Sequence, residues 1–297
     1  MATINNNGKS LNEKINDVMN AKVSDRAKKR NLVKLGLRAH EIDFIFAQAK
    51  VQVGDFDFSK ITFGVEIECV GFTRQSLIAA AATNGLEVRS EDYNHQDHVT
   101  RYKIVRDGSL SGENSQEVVS PVLNGTKGLE SLRKLCNALA SVGAQVNRTC
   151  GLHVHIGAQA MTDEHFVRIF KNYQAIETAV DTFMPESRRV NNSRWCHSLN
   201  GHDFTRCTTK RDVQSALGYD RYFKVNAEAF SRHHTIEFRQ HSGTTDYAKI
   251  ENWVRFLAKL VEYSYKHDCP VCRTIEEIPF LTDTEKQFFI TRRNALN

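Results

Sequence analysis

Apolar residues follow two different spacings along the chain, and the change from one to the other divides it. In the first fifty residues they recur every three or four positions in three groups, around Val18, around Leu32 and from Ile42 onward. This spacing predicts two or three short helices. The sequence GDFD at residues 54–57 interrupts the pattern, so we place a boundary near residues 51–60. The predicted organisation is a helical N-terminal extension over residues 1–55 and a second domain over residues 56–297.

Beyond residue 60, strand-like runs alternate with helical ones. Polar and apolar residues alternate within the strands, so one face of the sheet is expected to be polar and the other to be covered by helices. The chain shows no internal repeat. Strands are predicted at residues 61–70, 101–105, 116–120, 152–156, 222–225 and 235–240, and helices at about 74–84, 126–142, 162–183, 210–217, 247–266 and 283–293.

The first strand of the second domain carries two acids on one face. In the segment FGVEIEC, Glu66 and Glu68 project to the side opposite Val65 and Ile67, because successive strand residues point to opposite faces. Two carboxylates so close together repel each other, and another group must compensate for the pair. The pattern is open to two interpretations, a solvent-facing strand or a binding site for a divalent cation such as Mg²⁺, which prefers carboxylate oxygens.

Two later strands repeat this alternation with other ligand-type residues. The segment GLHVHIG places His153 and His155 on one face, and the segment TIEFRQ places Glu237 beside Arg239. Taken alone, these patterns are also typical of structural histidines and of a surface ion pair. Three such strands in one domain favour a shared polar site on one face of the sheet.

Two shorter segments add further candidates. The segment RDGSL is a turn signature that contains Asp107 and Ser109, and the segment EVVSP places Glu117 on a strand before a proline. Each segment also fits a purely structural role, the first as a turn and the second as a half-exposed strand.

Five segments now stand in order along the chain: FGVEIE, DGSL, EVVSP, CGLHVHIG and TIEFRQHSGT. In this order and spacing they resemble the putative amidoligase family, which belongs to the glutamine synthetase and glutamate–cysteine ligase superfamily of carboxylate–amine ligases. The resemblance covers about residues 61–265. It implies an α+β fold in which a curved, mainly antiparallel sheet forms an open funnel, with helices on its outer face. It also implies that ATP enters one mouth of the funnel and the substrate the other.

The resemblance further implies roles for individual residues. Arg239 resembles the arginine that neutralises the transferred phosphoryl group, and Glu237 and Asp107 are the other candidate catalytic residues. The candidate ATP-binding residues are His153, His155, Arg239 and Ser109. The candidate ligands of Mg²⁺ or Mn²⁺ are Glu66, Glu68, Glu117, His155 and Glu237.

Such a site suits a reaction in which a carboxylate is first activated. Phosphoryl transfer from ATP converts the carboxylate to an acyl phosphate, which an amine then attacks, and the rate comes mainly from positioning and charge stabilisation. No GxxxxGK[ST] sequence is present, so ATP would not be held by a P-loop. The alternatives are a related phosphotransferase that stops after phosphorylation, a metal-dependent hydrolase that uses the two histidines, and a binding module without catalysis. The chemistry leaves the identity of both substrates open.

Composition and charge restrict the class of protein. The chain has 297 residues, of which 40% are hydrophobic and 25% charged, and it has neither a run of apolar residues long enough for a membrane span nor a secretory signal. A cytoplasmic protein with no membrane partner is therefore expected. Residues 1–50 carry 10 basic and 5 acidic side chains, whereas the remaining residues carry 30 of each, so the net charge of +5 lies entirely in the N-terminal extension. This excess fits either solvated helices or binding of nucleic acid or another polyanion.

Cysteine usage adds little evidence for a further site. Seven cysteines form no pattern of a disulfide framework, and the lone CxxC at Cys269 and Cys272 would need two more ligands to bind zinc. The nearest candidates, Cys196, His197, His202 and Cys207, lie about sixty residues upstream. They belong to an arginine- and asparagine-rich stretch at residues 185–208, which fits either a substrate lid or a mobile, solvated loop.

Overall fold

The computed structural model describes residues 57–91 and 101–296, and before them residues 14, 17–18, 21, 23–37, 39 and 42. The chain divides into two compact units, residues 1–55 and 56–297. The functional roles that we assign to the two parts stay predictions.

The N-terminal unit contains helix α1, Asp25–Lys34, which begins after Ser24, whose hydroxyl accepts the N–H of Ala27. Val18, Leu32 and Ile42 pack in one hydrophobic cluster, so each of the three apolar groups noted in the sequence contributes one residue to it. The opposite side of α1 exposes four basic residues and one valine, namely Arg26, Lys29, Arg30, Val33 and Lys34. Polyanion binding by this unit stays a prediction, and the apolar residues at 44–46 lie outside the described residues.

The larger unit is built on one open, mixed sheet. Its strands lie in the order β2-β3-β4-β1-β6-β8-β7, with β5 also paired to β1. Every pairing is antiparallel except β2 with β3, which is parallel. The strands are β1 Thr62–Cys69, β2 Val88–Ser90, β3 Tyr102–Val105, β4 Gln116–Val119, β5 Leu123–Asn124, β6 Gly151–Gly157, β7 Val225–Asn226 and β8 Thr235–Ser242.

Seven α-helices accompany this sheet in the described residues: α2 Arg74–Thr83, α3 Gly125–Ser141, α4 Asp163–Asp181, α5 Lys210–Ala216, α6 Ala229–His233, α7 Tyr247–Tyr263 and α8 Asp283–Leu296. Short 3₁₀ helices lie at Phe58–Lys60, Glu186–Arg188 and Ile275–Glu277. Among the described helices, none has both the length and the apolar character that a membrane crossing requires.

Helices cover one face of the sheet. Helix α3 approaches β1 so closely that a side chain at Gly128 would meet Phe63. The ring of Tyr173 on α4 lies 5.7 Å from that of Phe238 on β8. Helix α7 adds Trp253, which is fully buried. The face that carries Phe63 and Phe238 is therefore the apolar core, and the residues that alternate with them face the other way.

The sequence-based elements agree with most of this architecture. All six predicted strands and all six predicted helices of this unit lie within three residues of the observed bounds. The predicted strand at 222–225 is observed as Val225–Asn226, and three short elements were missed, namely β2, β5 and α6. The α+β class is confirmed, but the sheet is mixed, and the funnel shape stays an implication of the resemblance.

The stretch at residues 185–208 is packed against α4 and is not a solvated loop. The buried carboxylate of Glu177 on α4 accepts hydrogen bonds from the hydroxyl of Ser198 and from the N–H of Leu199, at 2.8 Å for the latter. Arg188 is only 5% exposed and donates to the carbonyl of Cys150 at 2.7 Å. Because these hydrogen bonds satisfy buried polar groups, the stretch forms part of the fixed framework.

Gly128 offers a test of the contact between α3 and the sheet. A Cβ at this position would lie 2.8 Å from Cβ of Leu123 and 3.0 Å from Cζ of Phe63. Alanine normally stabilises a helix relative to glycine by about 1 kcal/mol. We expect Gly128→Ala to destabilise the protein instead, by about 1–3 kcal/mol, because it forces α3 away from β1.

Thermal unfolding measures this effect, with Gly108→Ala as the control. No heavy atom lies within 4 Å of the Cβ position at Gly108. A Gly128→Ala midpoint equal to or above that of the parent protein would show that the helix tolerates the methyl group and that the packing is looser than described.

Candidate functional site

The uncovered face of the sheet brings the polar strand residues together by register. Glu66 lies directly opposite His153, His155 opposite Glu237, and Glu68 opposite Glu117. Side chains at opposed positions of neighbouring strands lie on the same face within contact distance. Four strands, β4, β1, β6 and β8, thus contribute to one cluster of acids and histidines.

Glu66 lies between the two histidines. One of its carboxylate oxygens is 3.0 Å from Nδ1 of His153, and the other is 3.2 Å from Nε2 of His155. Burial alone would raise the pKa of Glu66, but the two imidazoles hold that pKa well below its usual value. Burial likewise acts to lower the pKa of His155, and the charge of Glu66 outweighs it, so this pKa is raised. The pair therefore favours an ionised carboxylate beside a protonated imidazole.

Glu237 is the second acid at the centre of the cluster. One of its oxygens accepts a hydrogen bond from Arg239, and the other accepts one from Nδ2 of Asn226 at 2.6 Å. Nδ1 of His153 lies 3.5 Å from Glu237. Burial acts to raise the pKa of Glu237, whereas Arg239 and His155 lower it, and the net shift is downward. Glu237 is therefore an ionised, oriented carboxylate.

Arg239 is held in place from two sides. Besides its bond to Glu237, its Nε donates to the backbone carbonyl of Trp195 at 3.3 Å, so the stretch at residues 185–208 fixes the guanidinium. The pairing of β6 with β8 is irregular at this level, between Leu152 and Val154. Such irregularities redirect side chains and are frequent beside active sites. Arg239 is thus a preorganised cation, and its pKa is raised because the charges of Glu237 and Glu66 outweigh the effect of burial.

Glu117 and Glu68 occupy different surroundings although they lie opposite each other. Burial, followed by the charge of Glu66, raises the pKa of Glu117 well above its usual value. Glu68 accepts the N–H of Gly151 and lies 3.6 Å from Nε2 of His153. Glu117 therefore favours the protonated form, whereas Glu68 has fixed polar partners.

Asp107 and Ser109 form the turn after β3. The carboxylate of Asp107 accepts the backbone N–H of Ser109 at 2.7 Å, and the side chain of Ser109 is exposed. Asp107 is close enough to Glu117 for its charge to raise the pKa of that residue. Neither residue lines the cavity described next, so the structure brings Asp107 near the cluster and leaves Ser109 outside it.

A cavity of about 280 Å³ opens on the cluster. On the sheet side it is lined by Glu66, Glu117, His153, His155, Glu237 and Arg239. The facing wall comes from a single segment, with Tyr219, Asp220, Arg221, Asn226, Glu228, Ala229, Arg232 and His233. This volume is close to the lower end of the range of small-molecule sites. Of the predicted site residues, Glu68, Asp107 and Ser109 are absent from the lining.

Three of these residues have the geometry of a metal site. Glu66, His153 and Glu237 each place one possible ligand atom within 4.8 Å of the other two. Within the described residues, no other group of three acids, histidines or cysteines has this geometry. Nε2 of His155 is buried without a hydrogen-bond partner, since its 3.2 Å approach to Glu66 lacks hydrogen-bond geometry. Carboxylate oxygens with imidazole nitrogens suit Mg²⁺ or, better, Mn²⁺. The residues present therefore fit such an ion, and the ligand role of each stays a prediction.

Sequence reasoning missed the residues that support this cluster. Asn226 is not among the predicted site residues, and its partner Glu237 lies on the neighbouring strand. The hydroxyl of Thr235 lies 2.9 Å from Nδ1 of His155 and so orients that ring. Thr235 precedes Glu237 by two positions, which places it on the same strand face, and this alternation was the available signal.

Comparison with known proteins adds one positive finding. A family model described as a putative amidoligase enzyme matches residues 59–261, which include β1 to β8 and the whole lining of the cavity. No curated protein matches the chain.

Glu117 provides a test of the electrostatics of this cluster. An acid whose pKa is raised in the folded state binds more protons there than in the unfolded chain, so its contribution lowers stability as the pH rises above the unfolded pKa. We expect Glu117→Gln, measured with EDTA present, to raise the unfolding midpoint at pH 7–8. The gain should shrink toward pH 4, near the unfolded pKa of about 4.3.

The control for this comparison is Glu130→Gln on the exposed surface of α3. It should show no such pH-dependent gain. A Glu117→Gln variant that is less stable than the parent at neutral pH would indicate that the ionised carboxylate has a stabilising partner and would contradict the assigned direction of its pKa.

Proposed function

Because the chain belongs to the putative amidoligase enzyme family, we propose that it joins a carboxylate to an amine in a reaction driven by ATP and dependent on Mg²⁺ or Mn²⁺. The observation that supports this most strongly is the group of Glu66, His153 and Glu237 beside the preorganised Arg239, all on the wall of one cavity. The combination provides places for a cation and for a phosphoryl group. A cation-only hydrolytic site would not require the arginine.

The proposed reaction has two steps. First, an oxygen of the carboxylate substrate attacks the γ-phosphorus of ATP, ADP leaves, and an acyl phosphate forms. Second, the amine nitrogen attacks the acyl carbon, inorganic phosphate leaves, and the nitrogen loses a proton to give the amide. Charge is redistributed over the phosphoryl oxygens in the first step, so fixed cations in a partly dry site lower its barrier.

The chain's own residues have distinct tasks in this scheme. Arg239 binds the oxygens of the transferred phosphoryl group through its planar guanidinium, and Glu237 together with the carbonyl of Trp195 keeps it oriented. Asn226 holds the second oxygen of Glu237, and Thr235 orients His155. These supports reduce the reorganisation that would otherwise accompany phosphoryl transfer.

A divalent cation, when bound by Glu66, His153 and Glu237, would neutralise the phosphate oxygens of ATP. The same ion would relieve the repulsion among the acids, which in its absence is balanced by His155 and Arg239. Binding of such an ion competes with protons for the histidine nitrogens. Affinity for the cation should accordingly fall as the pH is lowered.

The decisive assay supplies ATP, Mg²⁺ or Mn²⁺, and pools of carboxylates and amines, and follows ADP, phosphate and the mass of the product. A ligase yields a condensed product with one ADP and one phosphate per bond. A phosphotransferase yields a phosphorylated substrate with no condensation, and a hydrolase needs no nucleotide. Condensation without ATP, or ATP turnover without any condensed product across the pools, would contradict the proposal.

We expect ATP to stabilise the protein only together with the divalent cation. A ligand that binds the folded state alone raises stability by mass action, and the acids of the cluster repel the triphosphate when no cation is present. Thermal unfolding with ATP plus Mg²⁺ should therefore give a higher midpoint than unfolding with ATP plus EDTA. Equal midpoints, after the effect of Mg²⁺ alone is subtracted, would rule out a cation-bridged nucleotide.

We expect Glu66→Gln, Glu237→Gln and Arg239→Lys each to lower turnover by about 100-fold or more. Each substitution keeps the approximate size of the side chain, and it removes either a negative charge or the planar guanidinium. The surface variant Glu130→Gln should keep the parent rate. Circular dichroism and thermal unfolding separate loss of function from loss of fold, and full activity per folded molecule in the three variants would make these residues structural.

A further inference from the structure

One wall of the cavity carries charges that the proposed phosphoryl-transfer machinery does not use. Glu228 is the residue from which helix α6 begins, and Arg232 lies one turn further along. Both line the cavity that opens on the sheet cluster. They are four positions apart, a spacing at which side chains lie on the same face of a helix.

These two opposite charges do not pair. Oε1 of Glu228 is buried and has no hydrogen-bond partner. Among the described residues, Arg232 forms no ion pair, either with Glu228 or with any other acid. A buried carboxylate oxygen without a partner costs free energy, because the water that it loses is not replaced. An unpaired acid beside an unpaired arginine in one cavity therefore marks a place where a ligand supplies the missing partners.

The position of Glu228 relative to the cluster is fixed by Asn226. The carbonyl oxygen of the Asn226 side chain accepts the backbone N–H of Glu228 at 2.8 Å, and its amide nitrogen donates to Glu237 at 2.6 Å. One side chain thus connects the wall to the acid at the centre of the cluster. Glu228 is partly buried, whereas Arg232 is exposed.

We propose that Glu228 and Arg232 bind the amine substrate and that this substrate is an α-amino acid, an inference that rests on the proposed ligase function. Glu228 accepts hydrogen bonds from the ammonium group, and the guanidinium of Arg232 binds the carboxylate. Ammonia would have no use for Arg232. A polyamine would be repelled by Arg232 and by the neighbouring Arg221, which lines the same wall.

Glu228 also completes the second step of the reaction. The ammonium group first gives one proton to Oε1 of Glu228, which frees the nitrogen lone pair for attack on the acyl carbon. The bond formed is C–N and the bond broken is the acyl C–O bond to phosphate; the first proton ends on Glu228, and the second proton that the nitrogen loses leaves with the phosphate. No other reactant is needed. The product is an amide on the α-amine, with the carboxylate of the amino acid still bound to Arg232.

Binding of amino acids can be measured without knowing the acid substrate. The full-length protein with Mg²⁺ and a non-hydrolysable ATP analogue is titrated with each of the common L-amino acids, and each amino acid that binds is compared with its decarboxylated amine. We expect at least one amino acid to bind and its amine to bind at least about tenfold more weakly, because the charge-assisted hydrogen bonds to Arg232 are lost.

The variants test the two ends of the site separately. Glu228→Gln should weaken binding of the amino acid by about tenfold to a hundredfold. Arg232→Gln should bind the amino acid and its amine with similar affinity, a loss of discrimination that a merely structural role would not produce. Glu130→Gln should behave as the parent. None of these variants should change the midpoint shift caused by Mg²⁺ and ATP.

The outcomes separate this inference from the proposed function. No amino acid binding to the parent, or equal binding to the parent and to Glu228→Gln, overturns the amino-acid site even where Mg²⁺ and ATP stabilise the protein as expected. Binding that depends on Glu228 and Arg232 supports the site, even where Mg²⁺ and ATP fail to stabilise the protein and the ligase proposal falls.

Discussion

The repulsion among carboxylates on one sheet face is the constraint on which the rest of the site depends. Glu66, Glu68, Glu117 and Glu237 come from three different strands and meet on the face opposite the one that α3, α4 and α7 cover. Desolvated acids at this spacing can all ionise only if cations lie among them. His155 and Arg239 supply that charge in the protein alone, and Glu117, which has the least compensation, favours its proton instead.

This balance explains why the surroundings of the cluster are so extensively hydrogen-bonded. A histidine or arginine can compensate the charge of an acid only if it is held beside that acid. A hydrogen bond with Thr235 holds His155, and a hydrogen bond to the carbonyl of Trp195 holds Arg239. The support for Arg239 comes from the stretch at 185–208, which is itself tied to α4 through Glu177. The position of Arg239 thus depends on contacts that the 185–208 stretch makes with α4 on the other face of the sheet. Those contacts belong to a buried network that includes Lys224, whose ammonium lies 2.8 Å from Glu177.

The alternation of polar and apolar residues along each strand made it possible to predict which side chains share a face. Which residues lie opposite each other depends on pairing between distant segments and could not be predicted from the sequence. That Glu66, His153 and Glu237 share a face with their neighbours follows from the period of two within each strand. Glu66 lies opposite His153 because of the register between β1 and β6, and no local sequence pattern specifies that register. Asn226 shows the same limit, since its role is defined by Glu237 eleven residues later, across the pairing of β7 with β8. For the stretch at 185–208, the alternative of a mobile, solvated loop was wrong, because its composition is typical of loops, whereas its order comes from acids on the preceding helix α4.

The two sets of residues that line the cavity differ in how they are built into the fold. The sheet wall is rigid, is built from strands in register, and contains the groups suited to a cation and a phosphoryl group, which are common to any reaction of this class. The opposite wall comes from one short segment, residues 219–233, where a two-residue strand and a five-residue helix follow a turn. Changes in that segment can alter charge and shape without disturbing the register of β1, β6 and β8. Asn226 is the exception, because it contacts both the segment that carries Glu228 and the acid that orients Arg239.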